Sequence, residues 1–179
     1  SRHPSSGPSG HLLPQGEKDD GPGDLIVVDR PAGPASPVLV ELAVEAGAFS
    51  RFAVDPRIPH EAFRRLYAIW IGRSCRHESA DAVFVAEDRD VQGVPLGLAT
   101  VAVKGDAATI GLVAVSERAR RRGVGRATMA RCHDWLRDRD VMRVDVATQV
   151  ANGPACGLYR ACGYYPSSFE TIYHFRPRG

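Results

Sequence analysis

One junction restricts the fold of this chain more than any other: Arg120-Arg121-Arg122-Gly123-Val124-Gly125-Arg126, set between an apolar run and a stretch of helical spacing. Upstream, Ala107 to Val115 reads as a strand. Downstream, Val124, Thr128, Cys132, Trp135 and Leu136 recur at three- and four-residue intervals, which predicts one face of a helix from Gly123 to Arg137. Val141 to Thr148 then returns to strand character. A helix bracketed by strands is a βαβ unit, and it imposes a parallel pair. Ahead of it, Ala82 to Ala86 and Leu96 to Val103 read as strands, with Lys104-Gly105-Asp106 as turn chemistry, so an antiparallel meander precedes the parallel unit. The expected fold class is α/β with a mixed, mostly antiparallel sheet and flanking helices.

The remaining segments fit around that sheet. Leu25 to Val28 is a short β-branched run. Ser36-Pro37 suits the cap and first position of a helix over Val38 to Ala46, which Gly47 ends. From His60 to Arg73, Phe63, Leu66, Tyr67, Trp70 and Ile71 share one helical face. Pro154 to Ala161 predicts a shorter helix ending at Gly163, and Phe169 to Phe175 a last strand. Residues 1–23 are rich in Gly, Pro and Ser with little to bury, so they are expected to form a flexible leader ahead of one domain over 24–179. A single core suits 179 residues of which 44% are hydrophobic.

The formal net charge of +2 gives no reason to expect a nucleic-acid or membrane partner from overall balance, so any basic site is local. The four cysteines, Cys75, Cys132, Cys156 and Cys162, form no CxxC pair and read as free thiols. The longest nearly apolar stretch, Val94 to Val103, is far shorter than the roughly 18 residues that span a bilayer. A cytoplasmic protein is the expectation.

At the junction itself, two glycines let the backbone approach a ligand closely, and the first amides of a helix hold an anion such as a pyrophosphate. Arg120, Arg121, Arg122 and Arg126 would add charge-assisted hydrogen bonds. The same residues also read as a solvated basic run or a nucleic-acid patch around a tight turn. A P-loop requires GxxxxGK followed by Ser or Thr, and a dinucleotide fold GxGxxG on an early strand; neither occurs.

An arginine, two residues, glycine, one residue and glycine between strand and helix resembles motif A of the GNAT acetyltransferase superfamily, matched here by Arg120, Gly123 and Gly125. The resemblance implies acetyl-CoA as co-substrate without a metal. Its pantetheine arm would pair with the strand Leu112-Val113-Ala114-Val115, and its pyrophosphate would lie on Arg120 to Arg126, Val124 included. Val146 to Asn152, Ala155 and Leu158 to Tyr164 resemble motif B. By that resemblance Asn152 and Ala155 would meet the pantetheine arm, and Tyr159 would protonate the leaving thiolate as general acid. Tyr159 packed on the sheet and Asn152 as a helix cap remain open alternatives. A main-chain N–H near Val113 to Ala114 is the oxyanion donor expected of the superfamily. The strand from Ala107 to Val115 lacks the carboxylate that some members carry there as base. Glu117, His133 and His174 are other titratable residues.

A narrower resemblance, to the TDP-fucosamine acetyltransferase group, rests on Ser50-Arg51-Phe52, the helix bearing Phe63, Tyr67, Trp70 and Ile71, the segment Arg143 to Asn152, and Thr171 to Phe175. It implies a nucleotide-linked amino sugar as acceptor, with Arg51, Tyr67, Trp70, Gln149 and His174 near it. An antibiotic, another small amine or a protein amine stays open as acceptor. So do a non-catalytic CoA-binding module and a homodimer.

Overall fold

The computed structural model describes residues 25–89, 93–173 and 175. Residues 1–23 and His174 lie outside them. The elements are β1 (Leu25–Asp29), α1 (Pro37–Ala46), α2 (Arg51–Val54), α3 (His60–Cys75), β2 (Ala82–Asp88), β3 (Pro95–Lys104), β4 (Ala107–Val115), α4 (Val124–Arg137), β5 (Arg143–Val146) and α5 (Gly153–Ala161). The strands form one five-stranded sheet in sequential order. The first three pairings are antiparallel, and β4 with β5 is parallel. This is the mixed sheet that the strand patterns predict.

Alternation of side chains divides the core between two helical layers. Val83, Val85, Leu98, Leu112 and Ala114 face α1 and α3, where Leu39, Leu42, Phe63 and Ile71 are buried against them. Ala82, Phe84, Ala99, Val101, Ala108 and Ile110 face α4, under Met129, Cys132, Trp135 and Leu136. Strands covered on both faces read as near-continuous apolar runs, which is the composition of β2 and β3.

Local chemistry sets the helix ends. Ser36 Oγ accepts from the Leu39 N–H at 3.4 Å, with Pro37 in the first turn. Ser50 caps α2, a single turn too short for periodicity to reveal, by accepting from the Ala53 N–H at 3.3 Å. All four cysteines are free thiols, and burial pushes the Cys132 thiol up to about 12. Among the described residues no helix is long and apolar enough to cross a membrane.

Two expectations are corrected. The strand expected over Val141 to Thr148 is confined to Arg143–Val146, because its parallel partner β4 diverges beyond Ile110 and leaves residues 147 and 148 nothing to pair with. The last strand expected over Phe169 to Phe175 does not form: the described residues there have no strand pairing, and Phe169, Ile172, Tyr173 and Phe175 stand in solvent. Strand preference needs an adjacent edge to pair with, and this segment lies against none.

Candidate active site

The sheet opens where β4 and β5, at its end, part. Register runs from Ala107 opposite Arg143 to Ile110 opposite Val146 and stops, while β4 continues to Val115 with, among the described residues, β3 alone beside it. Leu112, Val113, Ala114 and Val115 therefore present one backbone edge to an open groove. The Leu112 N–H donates to Thr100 Oγ1 at 2.9 Å and the Ser116 N–H to the Leu96 carbonyl at 2.8 Å, both on the β3 side. Amides alternate sides along a strand, so those of Val113 and Val115 point into the groove. Thr100 sits where the β3–β4 register shifts, and its buried hydroxyl supplies the acceptor that the irregular ladder withholds from Leu112.

The arginine-rich turn lies at the end of β4. Arg120 is extended, Arg121 takes a left-handed φ of 65°, and Gly123 follows at φ 78°, ψ −4° as the cap of α4. Only glycine adopts the last conformation without cost. No side chain caps α4, whereas α1, α2 and α5 each have one. The first-turn amides lack partners within the helix and carry its positive pole. Gly125 has a second constraint: a Cβ there would come within 3.1 Å of Leu158 Cδ2, so its bareness also brings α5 against the start of α4. Val124 is buried beside Leu96 and Ala119, which fixes the helix start on the sheet.

The guanidinium groups around this turn are exposed and guided by carboxylates. Arg120 lies 4.0 Å from Glu45, at the end of α1, and Arg122 lies 3.8 Å from Asp88, at the end of β2. Neither acid is marked by sequence spacing, since both partners lie far along the chain. Arg126 faces outward near Cys162, whose thiol burial pushes up and this guanidinium pulls down.

α5 supplies the opposite wall. Asn152 Oδ1 caps the helix by accepting from the Ala155 N–H at 3.2 Å, which consumes that oxygen and leaves its amide nitrogen as donor. Tyr159, like Val144 and Val146 of β5, is partly buried against the core cluster beneath α4, and burial pushes its phenol up to about 12. The ring of Tyr164 lies 6.0 Å from it, and the Tyr164 hydroxyl is 2.8 Å from His133 Nε2 on α4. That contact ties α4 to the segment just after α5. Burial also holds the His133 imidazole below its ordinary value.

The α1–α3 layer approaches the groove from the other face. Trp70 is partly exposed and lies over Gly111, the first residue of β4 beyond its pairing with β5, with Cζ2 3.5 Å from where a Cβ would stand. Tyr67 is buried, its ring filling the space over Gly47 and 5.8 Å from Trp70, so it backs Trp70 rather than lining an open wall. Arg51 is exposed on α2 and stacks on Phe52 at 4.4 Å. Gln149 is exposed in the turn before α5, where its carbonyl accepts from the Asn152 N–H. Among the described residues no group of three His, Cys, Asp or Glu side chains is placed to hold a metal ion.

A model described as the acetyltransferase (GNAT) family matches residues 40–164. No curated protein matches. Among solved structures, a candidate acetyl transferase from Pyrococcus furiosus is similar over 85% of this chain and 100% of its own, with 17% identity and a TM-score of 0.63. The aminoglycoside N-acetyltransferase AAC(6')-Iy, in complex with CoA, is similar over 93% of this chain and 100% of its own, with 17% identity and a TM-score of 0.52. The ribosomal-protein-S18-alanine N-acetyltransferase from Escherichia coli is similar over 80% of this chain and 79% of its own, with 19% identity and a TM-score of 0.52.

Proposed function

Because the chain belongs to the acetyltransferase (GNAT) family, we propose that it moves the acetyl group of acetyl-CoA to a primary amine of a small molecule, with a nucleotide-linked amino sugar as the favoured acceptor. The observation that carries this reading is the uncapped start of α4 beside the unpaired edge of β4. The residues fit the co-substrate. The free amides after Gly123 and the exposed guanidinium groups of Arg120, Arg121, Arg122 and Arg126 suit a diphosphate, and the groove edge at Val113 and Val115 suits an amide-bearing arm.

The chemistry then falls to few groups. The acceptor amine, in its neutral form, attacks the thioester carbonyl carbon, and the Val113 N–H faces the side on which the oxyanion develops. The carbon–sulfur bond breaks, Tyr159 gives its proton to the departing thiolate, and the proton lost by the amine leaves through water and restores the phenol. A phenol held near 12 stays protonated at neutral pH, as an acid in this role must be. No carboxylate stands on β4, so the amine must arrive neutral or lose its proton by water relay. Asn152 offers its remaining donor to the arm. We assign Trp70, backed by Tyr67, and Arg51 to the acceptor, since an aromatic face and a cation suit a sugar ring and a diphosphate.

A thiol-release assay with acetyl-CoA tests this reading against nucleotide-linked and free amino sugars, aminoglycosides and peptides. The nucleotide-linked amino sugar is expected to give the highest kcat/KM. Preference for an aminoglycoside or a peptide amine would overturn the acceptor. Binding of acetyl-CoA with no release over the whole panel would favour the second reading, a non-catalytic CoA-binding module, which the missing β4 carboxylate motivates.

A further inference from the structure

β4 carries one extra residue beside the groove. Its register against β3 sets Ala99 opposite Val113 and Val101 opposite Ile110, so Thr100 alone faces both Gly111 and Leu112. A bulge of this kind re-aims side chains at the point where the ladder is interrupted. Leu112 is buried in the cluster under α1 and α3, and a Cβ at Gly111 would meet Trp70 of α3 on the same side. That Cβ would stand 2.9 Å from Thr100 Oγ1, 3.5 Å from Trp70 Cζ2 and 3.9 Å from Trp70 Nε1. Gly111 is nevertheless exposed, so the rim of the indole stands over a strip of bare backbone that solvent still reaches. Glycine within a strand suits a bulge and lets a ligand come close to the main chain.

The groove has a direction: the α4 turn lies at one end, and the Ile110–Val146 pair closes the other. With the diphosphate at the turn and the arm along the amides of Val115 and Val113, the acyl group comes to rest short of Ile110, beside Gly111 and next to the rim of Trp70. That rim is braced. The Tyr67 ring lies 5.8 Å from Trp70 and the Phe63 ring 5.1 Å from Tyr67, both buried. Tyr67 fills the space over Gly47, so the row of rings has no room to retreat. We propose that Trp70 sets the length of the acyl group that the donor can carry, its rim over Gly111 admitting a two-carbon chain and excluding one of four carbons. The inference rests on the CoA reading and deepens it, because contacts to the diphosphate and the arm are common to every acyl-CoA and select none. The face of the Trp70 ring stays with the acceptor, and its rim alone is assigned to the acyl group.

Calorimetric titration of the full chain with CoA, acetyl-CoA and butyryl-CoA, in the absence of any amine, tests it. The wild type is expected to bind butyryl-CoA about 10-fold or more weakly than acetyl-CoA, the least effect of overfilling a pocket by a methylene. Trp70→Ala, at a partly exposed position, should make the two dissociation constants equal. Trp70→Phe, with a shorter ring, should leave a ratio between those of the wild type and the alanine variant. A wild type that binds both thioesters equally overturns the proposal and leaves the CoA reading standing. A wild-type ratio in folded Trp70→Ala does the same. Should Trp70→Ala fail to fold, as judged by circular dichroism, an unaltered ratio in Trp70→Phe overturns it alone. Absence of heat from CoA itself removes both the proposal and the reading beneath it.

Discussion

Tyr159→Phe is expected to lower kcat by about 10²- to 10⁴-fold and to leave the affinity for acetyl-CoA nearly unchanged, since the lost hydroxyl acts only as the sulfur departs. The change removes one oxygen from a partly buried ring packed on the core cluster beneath α4, so the packing survives. The pH profile adds a second readout. With its phenol raised to about 12 by burial, Tyr159 stays protonated from neutral pH to about 10, so wild-type kcat/KM should rise with pH as the acceptor amine loses its proton and show no fall across that range. A Phe variant with wild-type kcat on the true acceptor would reduce Tyr159 to a packing residue. So would a variant whose only defect is in acetyl-CoA affinity.

The second large effect concerns the platform beneath the turn. Phe84 on β2 is fully buried, meets Trp135 of α4 edge to face at 6.0 Å, and has the Arg131 guanidinium 5.3 Å from its ring. Phe84→Ala removes that ring from a close-packed cluster and should cost about 3–5 kcal/mol of stability. Urea unfolding, followed by the midpoint at unchanged slope, measures it. Acetyl-CoA affinity should fall along with stability when the measurement nears the unfolding midpoint, because α4 is held to the sheet by the same contacts. A loss under about 1 kcal/mol, the typical effect of an arbitrary substitution, would mean that α4 does not rest on β2 as described.

The parts of this architecture that were legible in the sequence are those whose cause is local. Ser36-Pro37, the spacing of Phe63, Tyr67 and Ile71, and the turn at Lys104-Gly105-Asp106 each act within a few residues, and the elements they predict are present. The glycines of the α4 turn were legible for the same reason, although the packing demand on Gly125 from Leu158 was not. What stayed hidden depends on distant partners. Glu45 and Asp88 reach Arg120 and Arg122 only after the sheet has assembled. Thr100 matters because the register shifts beside it. Tyr67 shares a helical face with Trp70, yet burial under Gly47 separates their roles. The run from Phe169 to Phe175 has strand character, yet none of its described residues pairs with a strand among the described residues, because a strand is a relation between two segments.

Titration calorimetry of acetyl-CoA into the purified chain tests the central claim, that the free amides at the start of α4 hold the diphosphate of the co-substrate. The account predicts one site per chain with a dissociation constant of about 1–100 µM, in the range of ordinary substrate affinities. It also predicts that this heat disappears in Gly125→Val/Leu158→Ala, where the smaller residue at 158 makes room for the added side chain and the backbone approach alone is blocked. Absence of heat from the wild type at about 1 mM, roughly tenfold above that range, or unchanged binding in the paired variant, would contradict it.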